Sequence, residues 1–181
     1  MQIEYKKSRR NYSFDFRLRI GGSIYLMVDG LASIIGDGKV LSYQYGNGKS
    51  ENLYLKNGAF FEDSTFASKT DAECNFKKIK IAILISPITA SAGEQTVIAF
   101  RGKKNIKIFG EKSKGYTILN DENLLGKNLI FVLSSAYVSD RNGNIYKDGI
   151  TPEVEITGGD NFDNLEKDSK VIAALKWLKE K

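Results

Sequence analysis

From residue 79 the chain runs Ile-Lys-Ile-Ala-Ile-Leu-Ile, an apolar stretch rich in β-branched residues and too short to span a membrane as a helix. Such a run predicts a buried strand of an α/β sheet. Ser86-Pro87 stops it, because proline lacks an amide proton and restricts the residue before it. A helical spacing follows, with Val97, Ile98 and Phe100 as its apolar positions. Earlier, residues 12–20 alternate apolar and polar and predict another strand. Gly21-Gly22 interrupt the pattern, and Ile24, Met27, Val28, Leu31, Ile34 and Ile35 then share one helical face up to Gly36-Asp37-Gly38. Residues 40–45 and 52–55 predict a hairpin through Gly46-Asn47-Gly48. Residues 58–76 are polar with scattered phenylalanines (Phe60, Phe61, Phe66, Phe76) and predict a surface loop over a groove. Further strands are expected at 105–109 and 128–138. A terminal helix is expected over 168–181, with Val171, Ile172, Leu175 and Leu178 on one face and Trp177 packed.

Strands alternating with helices predict an α/β fold, and 181 residues without a repeat or linker predict a single domain over 1–181. The net charge of +5 is spread over 27 basic and 22 acidic residues, which reads as solvated surface and not as a nucleic-acid interface. The one basic cluster, Lys6-Lys7-Ser8-Arg9-Arg10, reads as a terminal arm. A single cysteine, Cys74, excludes an internal disulfide. Neither a signal peptide nor a membrane-spanning run is legible. Histidine is absent, so no imidazole base and no histidine-ligated metal site can come from these residues; no metal and no cofactor are expected.

Chemistry concentrates at the junction after the apolar strand. Ser91 opens the helix, where unpaired amides and a partial positive charge favour an oxyanion and suit a nucleophilic serine. Ser91-Ala92-Gly93-Glu94 is equally a capping box, with Glu94 reaching back to the serine amide. The Gly21-Gly22 pair reads either as a tight turn or as a place where backbone amides approach a ligand.

Thr89-Ala90-Ser91-Ala92-Gly93-Glu94 resembles the Thr-Ala-Ser-Ala-Ser-Glu nucleophile segment of the carboxyl-terminal processing (tail-specific) serine peptidases. Asp15-Phe16-Arg17-Leu18-Arg19-Ile20-Gly21-Gly22 resembles that family's Asp-Leu-Arg-Gly-Asn-x-Gly-Gly, with Leu18 for glycine and Arg19 for asparagine. Gly110-Glu111-Lys112-Ser113-Lys114-Gly115 is similar to Gly-Glu-x-Thr-x-Gly, after which the Ser-Lys branch carries its base; here that position is Tyr116. Gly149-Ile150-Thr151-Pro152-Glu153 resembles Gly-Ile-x-Pro-Asp. Phe100-Arg101-Gly102, Gly115-Tyr116-Thr117 with Asn120, and Val138-Ser139-Asp140-Arg141 are similar to the nisin-resistance branch, which uses a Ser-His dyad.

The resemblance implies a crotonase/ClpP-like twisted sheet with packed helices. It implies Ser91 as nucleophile, an oxyanion hole from Ala92 and from Gly21 or Gly22, and Glu94, Tyr116 and Asn120 orienting the site or its substrate. The substrate would be a peptide or unstructured polypeptide. The base would come from a missing N-terminal segment or a second chain, so the chain looks N-terminally truncated and alone is expected to be nearly inactive. Tyrosine, with an ordinary pKa near 10, is a poor base at pH 7. The other reading is a non-catalytic peptide-binding module that kept the fold. The resemblance further suggests an extracytoplasmic, membrane-anchored full-length protein.

Overall fold

A strand whose side chains are apolar on both faces needs cover on both, and the run after Ile79 receives it. The computed structural model describes residues 11–69 and 79–180. Cys74, Phe76 and the basic cluster at 6–10 lie outside the described residues. In chain order the strands are β1 (Tyr12–Asp15), β2 (Gly38–Tyr45), β3 (Ser50–Lys56), β4 (Ala59–Glu62), β5 (Thr65–Lys69), β6 (Ile81–Ile85), β7 (Ile106–Gly110), β8 (Ile118–Leu125), β9 (Leu129–Asp140), β10 (Ile145–Tyr146) and β11 (Val154–Glu155). The helices are α1 (Ile24–Gly30), α2 (Ala32–Ile35), α3 (Ala92–Phe100) and α4 (Ser169–Lys179).

β1, β6, β7 and β11 form a parallel sheet in that order. Every residue of β6 is buried. Its odd-numbered isoleucines, Ile81, Ile83 and Ile85, join a large core with α1, α3 and residues of β2, β3 and β9. Its other face, Ala82 and Leu84, packs with Phe109 against Val171, Ala174 and Leu178 of α4. Period-two alternation therefore divides one strand between two cores. The remaining strands form an antiparallel sheet in the order β10-β9-β2-β3-β4-β5, with β8 added on β9. The expected hairpin at Gly46-Asn47-Gly48 joins β2 and β3. α3 is buried along its whole length, within a core that draws residues from both sheets.

Four expectations need correction. Strand β1 stops at Asp15 instead of continuing to residue 20, because Arg17 turns back: its amide donates to Asp15 Oδ1 at 3.0 Å, and the Arg19 amide closes a turn on Phe16 O at 2.9 Å. The first helix is broken at Leu31 (φ −112°, ψ 5°), just after the weak helix former Gly30. The expected loop after residue 58 is instead the β4–β5 hairpin as far as Lys69, with Phe60 wholly buried between β3 and β5, Ala59 buried beside it and the rest exposed or half-buried. On α4, Ile172 faces solvent and Lys170 is buried, for a reason given below. Trp177 does pack, its ring 5.9 Å from that of Phe109. Among the described residues no helix is long and apolar enough to cross a membrane.

Candidate active site

Parallel strands deliver their connecting turns to a common edge, and ligands of such sheets collect beyond the carboxyl ends. Here β1, β6 and β7 send the turns 16–22, 86–91 and 111–117 to that edge, where hydrogen bonds tie them together. Thr89 Oγ1 donates to Phe16 O at 2.9 Å and Ser86 Oγ to Arg17 O at 2.6 Å. The Ala90 amide donates to Arg19 O at 3.0 Å, and the Lys114 amide to Thr89 O at 2.9 Å.

Ser91 sits where these turns meet, with φ 51° and ψ −126°. A relaxed N-cap residue has extended backbone. The positive φ of a serine is a strained state, of the kind seen where a nucleophile is thrust out of a strand-to-helix turn. The capping box is half formed as a hydrogen bond: the Ser91 amide donates to Glu94 Oε2 at 3.0 Å. Its hydroxyl stands opposite the Glu94 amide without a well-aligned bond. In the first turn of α3 the Gly93 and Gln95 amides bond Ala90 O and Ser91 O. The Ala92 amide has no acceptor among the described residues. A Cβ placed on Gly21 would lie 3.7 Å from Ser91 Cβ and 3.9 Å from its Oγ, so the glycine turn faces the serine directly. Gly93 permits that approach, because a Cβ there would meet Arg19 O at 2.6 Å. Gly22 has φ 132°, a region that only glycine tolerates easily.

Glu94 is wholly buried and gathers donors from a second turn: Ser113 Oγ and the Gly115 amide (2.8 Å) on Oε1, and the Tyr116 amide (2.8 Å) on Oε2 beside that of Ser91. One carboxylate thus locks the 111–117 turn to the serine. Tyr116 contributes its backbone to this lock while its side chain is exposed, with the Lys114 ammonium 5.7 Å from its ring centre. Asn120 is not drawn in. Its side-chain hydrogen bond among the described residues is with Ser134 on β9, and none joins it to the Ser91 turn.

Several positioning residues lie in segments that the sequence singles out, but nothing local announces what they bind. Ser113 Oγ, besides donating to Glu94, accepts the Ile150 amide at 2.7 Å. Ser86 and Thr89 clamp the glycine turn. Arg17 is wholly buried, held by Asp15 (2.6 Å), Asp160 (2.7 Å) and Asp168 (2.5 Å), with the Phe162 ring 4.5 Å from its guanidinium carbon. Lys170 extends this cluster to Glu111 and Asp160, at 2.6 Å each, which explains its burial on α4. Burial by itself lowers the guanidinium's affinity for its proton, but the aspartates outweigh it and hold Arg17 charged. Lys103 is the contrasting case: burial, then the charge of Arg141, push its pKa down to about 8. It follows the C-terminal end of α3, roughly 13 Å along the helix from Ser91, too far to act as its base.

A serine in a strained strand-to-helix turn, facing the glycines of a neighbouring turn at the carboxyl edge of a parallel sheet, defines an α/β protein of the crotonase/ClpP-like kind. The family model of peptidase family S41 matches residues 2–156, and the chain belongs to that family. The nisin-resistance protein of Lactococcus lactis subsp. lactis is 30% identical over 181 residues, covering 98% of this chain and 53% of that protein. The solved structure of a lipoprotein from Streptococcus agalactiae is 27% identical with a TM-score of 0.73, over 92% of this chain and 53% of that one. The photosystem II D1 C-terminal processing protease shares the fold at a TM-score of 0.63 and 19% identity, over 86% of this chain and 36% of that one. The chain spans about half the length of the curated relative it matches.

Proposed function

We propose that residues 1–181 are one domain forming the core of a serine peptidase site, with Ser91 as nucleophile and its general base supplied from outside these residues. The observation that carries this reading is the strained Ser91 backbone beside an amide, Ala92 N–H, that has no acceptor among the described residues. Capping alone gives no reason for that strain. In the proposed reaction Ser91 Oγ bonds to the carbonyl carbon of a peptide. The carbonyl electron pair moves to oxygen, where Ala92 N–H and an amide of Gly21 or Gly22 receive it. The serine proton passes to the external base and then to the leaving amine as the C–N bond breaks; water releases the acyl group. Glu94 keeps the turns in register, and Tyr116 and Asn120, both exposed, are the proposed substrate-side positions.

Family membership supports peptide substrates, and the Streptococcus agalactiae lipoprotein supports an extracytoplasmic, membrane-anchored setting for the whole protein. A second reading, a peptide-binding module without turnover, is favoured by the absence of histidine and by tyrosine at position 116. Chemical supply of the base separates the two. The chain is incubated with an activated p-nitrophenyl ester, with and without added imidazole, and its intact mass is followed. Acylation mapped to Ser91, accelerated by imidazole and lost in Ser91→Ala, is the expected result. Acylation indifferent to Ser91, or none, refutes the nucleophile and leaves the binding module.

A further inference from the structure

The end of α3 remote from Ser91 gathers cations whose donors the fold leaves unused. Arg101, Lys103 and Arg141 meet there, where the chain leaves α3 and where it leaves β9. Gly102 has φ 83°, and a Cβ on it would stand 2.8 Å from Arg141 Cγ, 2.9 Å from its Cδ and 2.7 Å from Asn142 Nδ2. The Arg141 stem and the Asn142 side-chain amide therefore lie directly on Gly102. Lys103 Nζ in turn comes within 3.3 Å of where a Gly36 Cβ would be. Arg101 is anchored by Glu153 on Nη1 and by Thr151 O on Nη2 at 2.6 Å, and Arg141 Nη2 donates to Ala99 O at 2.8 Å. Other donors have no acceptor among the described residues: the buried Nε–H groups of both arginines, Asn142 Nδ2 and the half-buried Lys103 ammonium.

Burying a charge or a donor without a partner costs free energy, so a group of such donors points to an acceptor that arrives from solution. Asp140 is not that acceptor. Its field reaches both arginines, but its carboxylate is filled by the Asn142 and Asn144 amides (2.8 and 3.0 Å), Asn144 Nδ2 (3.0 Å) and the Tyr146 hydroxyl (3.0 Å). Lys103 and Arg141 form no ion pair among the described residues. They are close enough that the Arg141 charge adds to burial in pushing the Lys103 pKa down. We propose that Lys103, Arg141 and Asn142, with the Arg101 Nε–H, bind a phosphate dianion, either free or as the end of a phosphomonoester. Two positive charges outside any ion pair match a dianion, whereas a carboxylate would balance only one of them. The planar guanidinium suits the oxygens of a phosphate, and the ammonium adds a point charge beside it. This site lies at the other end of α3 from Ser91 and is independent of the peptidase reading.

Isothermal titration calorimetry of the 181-residue chain with sodium phosphate, in Tris-chloride near neutral pH, tests the proposal. One saturable site is expected, with acetate binding about tenfold more weakly or worse because it brings a single charge. Lys103→Met and Arg141→Gln should each weaken phosphate binding about tenfold or more, the loss of one charge-assisted hydrogen bond, while Lys176→Met on the exposed side of α4 leaves it unchanged. Lys103→Met removes a half-buried charge without a partner and keeps the fold, so it carries the test alone should the Arg141 variant fold poorly. Phenyl phosphate that displaces inorganic phosphate identifies a monoester end as the ligand; phenyl phosphate that fails to do so identifies the free ion. No saturable heat with phosphate in the millimolar range, acetate bound as well as phosphate, or phosphate binding that survives Lys103→Met overturns the proposal.

Discussion

Neutralising Asp168 probes the buried cluster that holds the glycine turn. Asp168 has no exposed surface and serves two elements at once: Oδ2 accepts from Arg17 and from the Asn161 amide at 2.9 Å, while Oδ1 caps α4 by accepting the Lys170 and Val171 amides at 3.0 Å each. Asparagine caps a helix about as well as aspartate, so Asp168→Asn keeps the cap and removes the charge. Stripping one partner from a buried ion pair costs about 3–5 kcal/mol, but Arg17 retains Asp15 and Asp160, each about 30% exposed on the side chain, so a loss of about 2–3 kcal/mol is expected. Asp168→Ala also loses the cap and should cost about 1 kcal/mol more.

Urea unfolding followed by circular dichroism measures both. The pH dependence supplies an independent check. Burial pushes the Asp168 carboxyl up, but the hydrogen bonds from Arg17 and the Asn161 and Val171 amides, with the charge of Arg17, bring it below the usual carboxylate range. A carboxyl depressed in the folded state stabilises fully above its unfolded pKa, near 3.9, and loses that contribution as pH falls through the lower folded value. The gap between wild type and Asp168→Asn should therefore be constant from pH 7 to about pH 5 and close below about pH 4. A gap under about 0.5 kcal/mol at pH 7, or one that widens in acid, refutes the argument that charge and not packing holds Arg17.

Three further outcomes are expected. Ser91→Gly should raise the unfolding free energy by about 1 kcal/mol by relieving the positive φ, whereas a relaxed capping serine would lose stability on the same change; thermal melts decide. Glu94→Gln replaces one acceptor oxygen by an NH₂ group that faces donors, so a loss of about 2–3 kcal/mol and faster amide hydrogen exchange at Gly115 and Tyr116 are expected. Lys103 has a folded pKa pushed down to about 8, so the unfolded chain binds the extra proton and stability should rise with pH between about 8 and 10. Lys103→Met should remove that rise and stabilise the protein at pH 7, as urea titrations across that range would show.

The parts of the fold that sequence reading captures are those governed by near neighbours. The run after Ile79, the Asn-Gly turn of β2–β3 and the Ser91 junction each declare themselves within a few residues. Glu94 is legible as half of a capping box, but its other donors come from a turn about 20 residues on, and nothing local announces them. Arg17 misleads for the same reason. In alternation with Phe16 and Leu18 it reads as an exposed strand position, yet its partners Asp160 and Asp168 lie at the far end of the chain. The β4–β5 hairpin is obscured because its exposed strand is polar enough to pass for a loop, and only buried Phe60 argues otherwise. The outer half of the β8–β9 hairpin is hidden differently: an apolar strand predicts burial, and 129–133 is apolar but exposed among the described residues.

The pairing of Arg17 with Asp168 spans 151 positions. Because a ribosome adds about 5–20 residues per second, Arg17 waits on the order of 10 s for the counter-charge that fixes its turn. β1 waits as well, since its partner β6 emerges long after it. During synthesis, Ser91 and the first turn of α3 are thus complete while the glycines opposite them are still loose. The residue that closes the 16–22 turn is made 151 positions after Arg17, so a chain stopped between the two would carry its serine without the fixed glycine turn.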